Sequence, residues 1–406
     1  MKILANMDRK VSADIIQCQH KPQEKNPMEP LYFDYNATTP VHETVVSEML
    51  PFFTDKFGNP GCAHMHGLEA AKAAELARLQ TASLIGAEPA QLFFTSCATE
   101  SNNLVLSGLL KPGEELIVSA IEHPSIIRPA LELEKAGIAV KVAPVNHEGL
   151  IDAGQVIDLV SDRTRLVSIM LANNETGVIQ PVAELAPLLK LRNISLHTDA
   201  SQAVGKIKVD VKSLGVDFLT VAGHKMYAPK GVGALFVRNP GVLKPLLYGG
   251  GQEKGLKPGT ENIPFIAGLG RAADLASVDI EEEGRRQKEL GRFFLKGISE
   301  ICPDSTLHSA NGPRLPGTMA IGFGGYRAGD ILSGLVACNV SASAGAACHG
   351  SIQKMSSVLE AMGTAPYYGE GTIRFSWGRM TAMDHVNELL NRLEYIFHGF
   401  LQHQYR

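Results

Sequence analysis

Between about residues 90 and 240, short apolar runs alternate with helical stretches, and this alternation restricts the fold more than any other feature of the chain. Gln91–Phe94, Glu115–Val118, Val140–Val145, Arg165–Leu171 and Ile194–Thr198 read as buried strands. Asn102–Leu110, Ile126–Lys135, Gln155–Val160 and Ala183–Leu191 read as the helices between them. Val216–Val221 is another apolar run, and Gly231–Val237 returns as one more strand. Parallel neighbours need long crossovers, and helices supply them. The expectation is therefore an α/β fold whose mainly parallel sheet carries helices on both faces.

The texture changes near residue 276. Ile280–Cys302 carries a charged helical pattern, followed by short strands at Met319–Phe323 and Ile373–Ser376 and a helix over Ala382–Gln402. A chain of 406 residues is long enough for two cores. The expected division is a flexible extension over 1–30, a large domain over 31–275 and a smaller α+β domain over 276–406. Residues 31–40 and the helix Glu43–Phe53 bridge the two, with 31–45 able to pack on the smaller one.

A net charge of −4 gives no reason to expect nucleic acid or a membrane surface as partner. No apolar stretch approaches the roughly 20 residues that span a bilayer. The six cysteines are scattered without a C-x-x-C pair, which argues against a zinc or disulfide framework and fits a reducing compartment. Residues 1–30 lack a signal-peptide core, and Asp8, Asp14, Glu24 and Glu29 are wrong for a transit peptide. The expected location is the cytoplasm, with the mitochondrion as the alternative.

Ala222-Gly223-His224-Lys225 follows an apolar strand. A lysine there loses hydration, which lowers its pKa and suits an imine-forming amine. Asp199 lies one strand earlier, flanked by apolar residues, and needs a cationic partner. Pyridoxal phosphate enzymes combine such a lysine with an Asp on the ring nitrogen. The turn Thr95–Asn103 leads into a helix whose free N–H groups suit a phosphate, with Ala98 and Thr99 at its start. Taken alone, that turn is a plain helix cap. His123, after another strand, is placed to stack on a flat ring and exchange protons. Asn174 and Gln202 carry amides able to bond a phenolate oxygen, although adjacent Asn residues also mark a turn. Arg374, in an apolar strand, wants a carboxylate from the protein or from an amino acid. Cys348 sits in a small-residue segment where a thiol is reachable.

In order along the chain, Tyr32–Pro40, Phe57-Gly58-Asn59-Pro60, Thr95–Asn103, Asn173-Asn174-Glu175, His197-Thr198-Asp199, Gly223-His224-Lys225, Gly249–Glu253 and Gly345–Cys348 resemble the cysteine desulfurase and selenocysteine lyase family. These are pyridoxal 5'-phosphate enzymes of the class V aminotransferase fold, and the likeness runs from about Tyr32 to Met380. It implies fold type I, with a seven-stranded sheet. It implies that Lys225 holds the cofactor, that Asp199 faces the ring nitrogen, and that Gln202 and Asn174 contact the ring hydroxyl side. His123 would stack on the ring. Ala98, Thr99, His224 and the Ala222 turn, with Thr260 from the other subunit of a homodimer, would surround the phosphate. Arg374 would take the substrate carboxylate. Cys348 would accept sulfur from L-cysteine as a persulfide, leaving L-alanine, and pass it to a sulfur-acceptor or scaffold protein, as in iron–sulfur cluster assembly.

Four positions depart from the usual pattern: Cys97 for Gly, Ala222 for Ser, Lys257 for Arg and Gly317 for Asn. The spacing from Cys348 to Ser357-Val358-Leu359 is similar to desulfurases with a long active loop. The alternatives are a selenocysteine lyase acting on L-selenocysteine, and an aminotransferase, which has no use for Cys348.

Overall fold

The computed structural model describes residues 28–345 and 355–404. Cys348 and residues 1–27 lie outside the described residues. Twelve strands are present among those described: β1 (Leu31–Tyr32), β2 (Leu92–Thr95), β3 (Glu115–Ser119), β4 (Ala139–Ala143), β5 (Thr164–Ser168), β6 (Ser195–Asp199), β7 (Phe218–Ala222), β8 (Gly233–Val237), β9 (Ser305–Leu307), β10 (Thr318–Phe323), β11 (Val340–Ser341) and β12 (Thr372–Ser376).

Seven of them form one sheet in the order β2-β8-β7-β6-β5-β3-β4. Only β8 runs against the others, pairing antiparallel with both β2 and β7. The central strands are buried on both faces because helices cover each side, which is why they read as continuous apolar runs. The expected strand Val140–Val145 stops at Ala143, since Pro144 has no N–H to give a ladder. The expected helix Asn102–Leu110 begins earlier, at Ala98, taking the small polar residues as its first turn. Glu43–Phe53 is two pieces, Glu43–Met49 and Pro51–Thr54, because Pro51 cannot continue the first helix and starts the second.

The largest correction concerns the charged helix. It spans Ile263–Ile301, not Ile280–Cys302, with one non-helical residue at Asp279. Before that break, Ile263, Ile266, Leu269, Ala272 and Ala273 pack into the core beneath the seven-stranded sheet. After it, Leu290, Phe294 and Ile298 enter a second core. That second core is built on the antiparallel strands β12-β10-β9 and covered by the helix Met383–Gln404. Leu31 and Phe33 also belong to it, and β1 pairs in parallel with β11. The chain then leaves this core at Asp34 and runs to the carboxyl ends of the large sheet.

Gly317, where the resembling family commonly has Asn, has no room for a side chain. A Cβ there would lie 2.4 Å from Gln287 Oε1 and 2.7 Å from the Trp377 carbonyl oxygen. The carbonyl belongs to backbone and cannot swing aside. Gly317→Asn should lower stability by about 1–3 kcal/mol, read as a lower thermal midpoint. An unchanged midpoint would mean that this turn has space the packing does not show.

Candidate active site

The carboxyl ends of β2, β3, β5, β6 and β7 converge, and each delivers one loop to a common cleft, as open α/β sheets do. Strand β7 ends in a single tight turn, Gly223–Lys225. Gly223 is required there, because a Cβ would sit 2.8 Å from the Val232 carbonyl oxygen. The turn aims Lys225 at the segment leaving the second core. Its Nζ donates to the carbonyl oxygens of Asn36 and Ala37, the latter at 2.8 Å. Burial, then repulsion from Arg374, pushes the amine down to about 8, while Asp34 and Asp199 pull the other way.

Asp199 ends β6 with 6% of its surface exposed. Its carboxylate accepts from Asn102 Nδ2 at 2.7 Å, Ser201 N at 2.9 Å and Ser201 Oγ at 2.5 Å. These partners are all neutral and leave the negative charge uncompensated. Asn102 also donates to Ser125 Oγ at 2.8 Å, tying Asp199 to the loop after β3. In that loop His123 is exposed and caps the helix Pro124–Lys135, its Nδ1 accepting from Ser125 N at 3.1 Å. The surrounding protein lowers its pKa; Asp199 opposes this and Lys225 reinforces it. The ring is therefore neutral at pH 7. Behind it, burial raises the Glu122 carboxyl to about 8, against bonds from Ser119 Oγ and Met170 N.

After β2, Cys97 caps the helix Ala98–Leu109 without a side-chain bond. The first N–H groups of that helix thus lack the usual acceptor. Ala98 is half-buried and Thr99 exposed beside them. His224 Nδ1 lies 3.1 Å from Thr38 Oγ1, and burial, then Lys225, Lys230 and Lys206, brings the ring down to about 4. Ala222 is buried at the end of β7 and offers only a methyl group.

Arg374, Asn174 and Gln202 are engaged within the protein. Arg374 is buried and already holds a protein carboxylate, with Nη2 at 2.6 Å from Asp34 Oδ1 and Nη1 donating to Asn174 O at 2.9 Å. Its Nε has no partner among the described residues. Asn174 meets Arg374 through its main-chain carbonyl, while Asn173 Oδ1 locks the turn by accepting from Glu175 N and Thr176 N. Gln202 is spanned, Nε2 donating to Asn36 O at 2.9 Å and Oε1 accepting from Lys206 Nζ at 2.7 Å. Thr260 is exposed on the loop before the long helix. The sequence reading had no role for Asn36, Asp34 or Lys206; the first two lie in the quoted Tyr32–Pro40 stretch, and Lys206 carried no local signal.

The chain matches the family described as Aminotransferase class-V over residues 31–389. It is 39% identical over 370 residues to the cysteine desulfurase IscS of Dictyoglomus turgidum, covering 90% of this chain and 94% of that one. It is likewise 39% identical over 366 residues to cysteine desulfurase IscS 1 of Archaeoglobus fulgidus, covering 89% and 95%. Among solved structures, a NifS-like protein aligns with a TM-score of 0.86 at 34% identity, over 91% of this chain and 100% of that one.

The depressed Lys225 amine has a direct consequence. In the ligand-free protein its acylation by acetic anhydride, followed by mass spectrometry across pH, should show a midpoint near 8. An ordinary lysine titrates at about 10.4. Arg374→Met should move the midpoint upward by removing a repelling charge. A wild-type midpoint near that of a free lysine would show the amine to be solvated.

Proposed function

The chain belongs to the class-V aminotransferase family and is a cysteine desulfurase, and from that premise we propose how its own residues divide the work. The family implies pyridoxal 5'-phosphate, which when bound supplies an electron sink for the substrate carbons. The residues present fit that group. A buried carboxylate with only neutral partners, a lysine whose amine is pushed down to about 8, and an uncapped helix start all face one cleft. The placement of Lys225 and Asp199 at the ends of the adjacent strands β7 and β6 is the observation that carries the reading.

Lys225 anchors the cofactor; with its pKa lowered to about 8, part of the amine is unprotonated at neutral pH. Asp199 compensates a protonated ring nitrogen. Gln202 and Asn174 stand on the ring hydroxyl side. His123, neutral at pH 7, stacks and accepts a proton. Ala98, Thr99 and His224 hold the phosphate, Ala222 adds no donor, and Thr260 joins from a second copy, which makes the working form a homodimer. Arg374 takes the substrate carboxylate; its buried Nε has no partner among the described residues.

Cys348 is the sulfur nucleophile. Its thiolate attacks the sulfur of L-cysteine: an S–S bond forms, the Cβ–S bond breaks with its electron pair left on carbon, and that carbon takes a proton to give L-alanine. The resulting persulfide passes to a sulfur-acceptor or scaffold protein. The division into a cofactor-binding unit over 31–275 and a unit over 276–406 carrying Cys348 belongs to the same proposal, as does a cytoplasmic location. No helix among the described residues is long and apolar enough to cross a membrane.

Sulfide and selenide release from L-cysteine and L-selenocysteine tests this. Wild type should turn over both, and Cys348→Ala should keep the cofactor's colour while losing sulfide release. Lys225→Ala should lose the visible absorbance of the bound cofactor. His123→Ala should slow turnover by about 10²–10⁴-fold. Turnover of selenocysteine alone would return the lyase reading. Normal sulfide release from Cys348→Ala would remove the nucleophile assignment.

A further inference from the structure

Lys206 has no place in that division of roles, yet it reaches the centre of the site. As a residue it is partly exposed, but its Nζ ends on two buried amides, Gln202 Oε1 at 2.7 Å and Asn36 Oδ1 at 2.8 Å. It makes no ion pair among the described residues. An amine drawn inward against neutral oxygens is costly to keep. Burial, then repulsion from Lys225 and Arg374, holds it well below the ordinary lysine range.

Its effect follows from donor and acceptor chemistry. A primary amide has one accepting end and one donating end, and a lysine N–H can only be met by the accepting end. With Lys206 on Oε1, Gln202 must turn Nε2 the other way, where it donates to Asn36 O at 2.9 Å. With Lys206 on Oδ1, Asn36 must point Nδ2 at Asn174 O, 3.1 Å away, and Thr318 Oγ1, 3.0 Å away. The Asn36 carbonyl that receives Gln202 also receives Lys225. One donor therefore ties the accepting ends of both amides beside the Lys225 amine.

We propose that Lys206 is a positioning residue that fixes the Gln202 amide with its NH₂ end as the donor beside Lys225, where a phenolate oxygen can be bonded. This rests on the reading of Gln202 as the residue on the ring hydroxyl side of the cofactor. A donor on the phenolate stabilises the anion and so weakens its hold on the proton shared with the Lys225 nitrogen. When Lys206 is lost, Gln202 keeps only its bond to Asn36 O, the accepting end of the amide is no longer tied, the donor toward the phenolate is weakened, and that proton is held to higher pH. The other groups that bear on this proton are Arg374 with its partner Asp34 on one side, Asp199 and His123 on another, and His224 and Lys230 near the turn.

The test is a pH titration of the cofactor's visible absorbance in the holoenzyme, for wild type, Lys206→Met, Gln202→Leu and the double variant. Each single variant should raise the midpoint by about one pH unit. The double variant should match the single ones, because both remove the same donor. Lys206→Arg, which can still donate, should stay near wild type. If Lys206→Met does not fold, Lys206→Ala, which also lacks a donor, carries the same comparison. An unshifted Lys206 variant, or shifts that add in the double variant, would overturn the proposal: the first leaves Lys206 without influence, and the second makes it act by charge independently of Gln202. Wild-type protein without visible absorbance would overturn the cofactor reading, and the proposal with it; a coloured wild type beside an unshifted variant overturns the proposal alone.

Discussion

The contact on which the site depends is the Lys225 amine against the main-chain carbonyls of Asn36 and Ala37. It closes the chain onto itself: a turn at the end of β7 is held by a segment that has just left the second core. Around that contact the segment is pinned residue by residue. Asp34 binds Arg374, Asn36 N donates to Ser376 Oγ at 2.9 Å, and Thr39 meets the His224 carbonyl oxygen through both its amide and its hydroxyl. Backbone carbonyls are suited to this work because they hold an amine without a side-chain rotamer of their own to order.

Burial, reinforced by charge, lowers the basicity of the site. Lys225, Lys206, Lys230 and Arg374 crowd one side, and Asp34 and Asp199 act against this at Lys225. Burial removes the water that would screen them, so Lys206, Lys225 and His224 lose basicity: Lys225 falls to about 8 and His224 to about 4. Such an environment favours anions. The uncapped start of the helix Ala98–Leu109 adds its own positive end in the same cleft.

The second core also reaches the site through Arg374 and Arg379. Arg374 comes from β12. Arg379 N donates to Tyr227 Oη at 2.7 Å, two residues after Lys225, where Tyr227 holds a left-handed φ of 68°. The same Arg379 grips Asp279 through two bonds, 2.6 and 2.8 Å, at the one non-helical residue of the long helix. The break in that helix and the conformation after the lysine turn are thus tied to one residue, the first through its side chain and the second through its main-chain N–H.

The alternation of apolar runs and helices determined the sheet, and the strand ends it marks determined where Lys225, Asp199 and His123 stand. These follow from local periodicity and chain order, which a sequence carries directly. The start of the long helix was not legible, because the stretch over 263–279 is rich in small residues and its helical state comes from packing against the large core. Nor was the pairing of Arg374 with Asp34 legible, 340 positions apart, nor the meeting of Lys206, Gln202 and Asn36. Only the tertiary structure decided those, because which oxygen an amine finds depends on where distant backbone is brought, and no propensity or spacing encodes that.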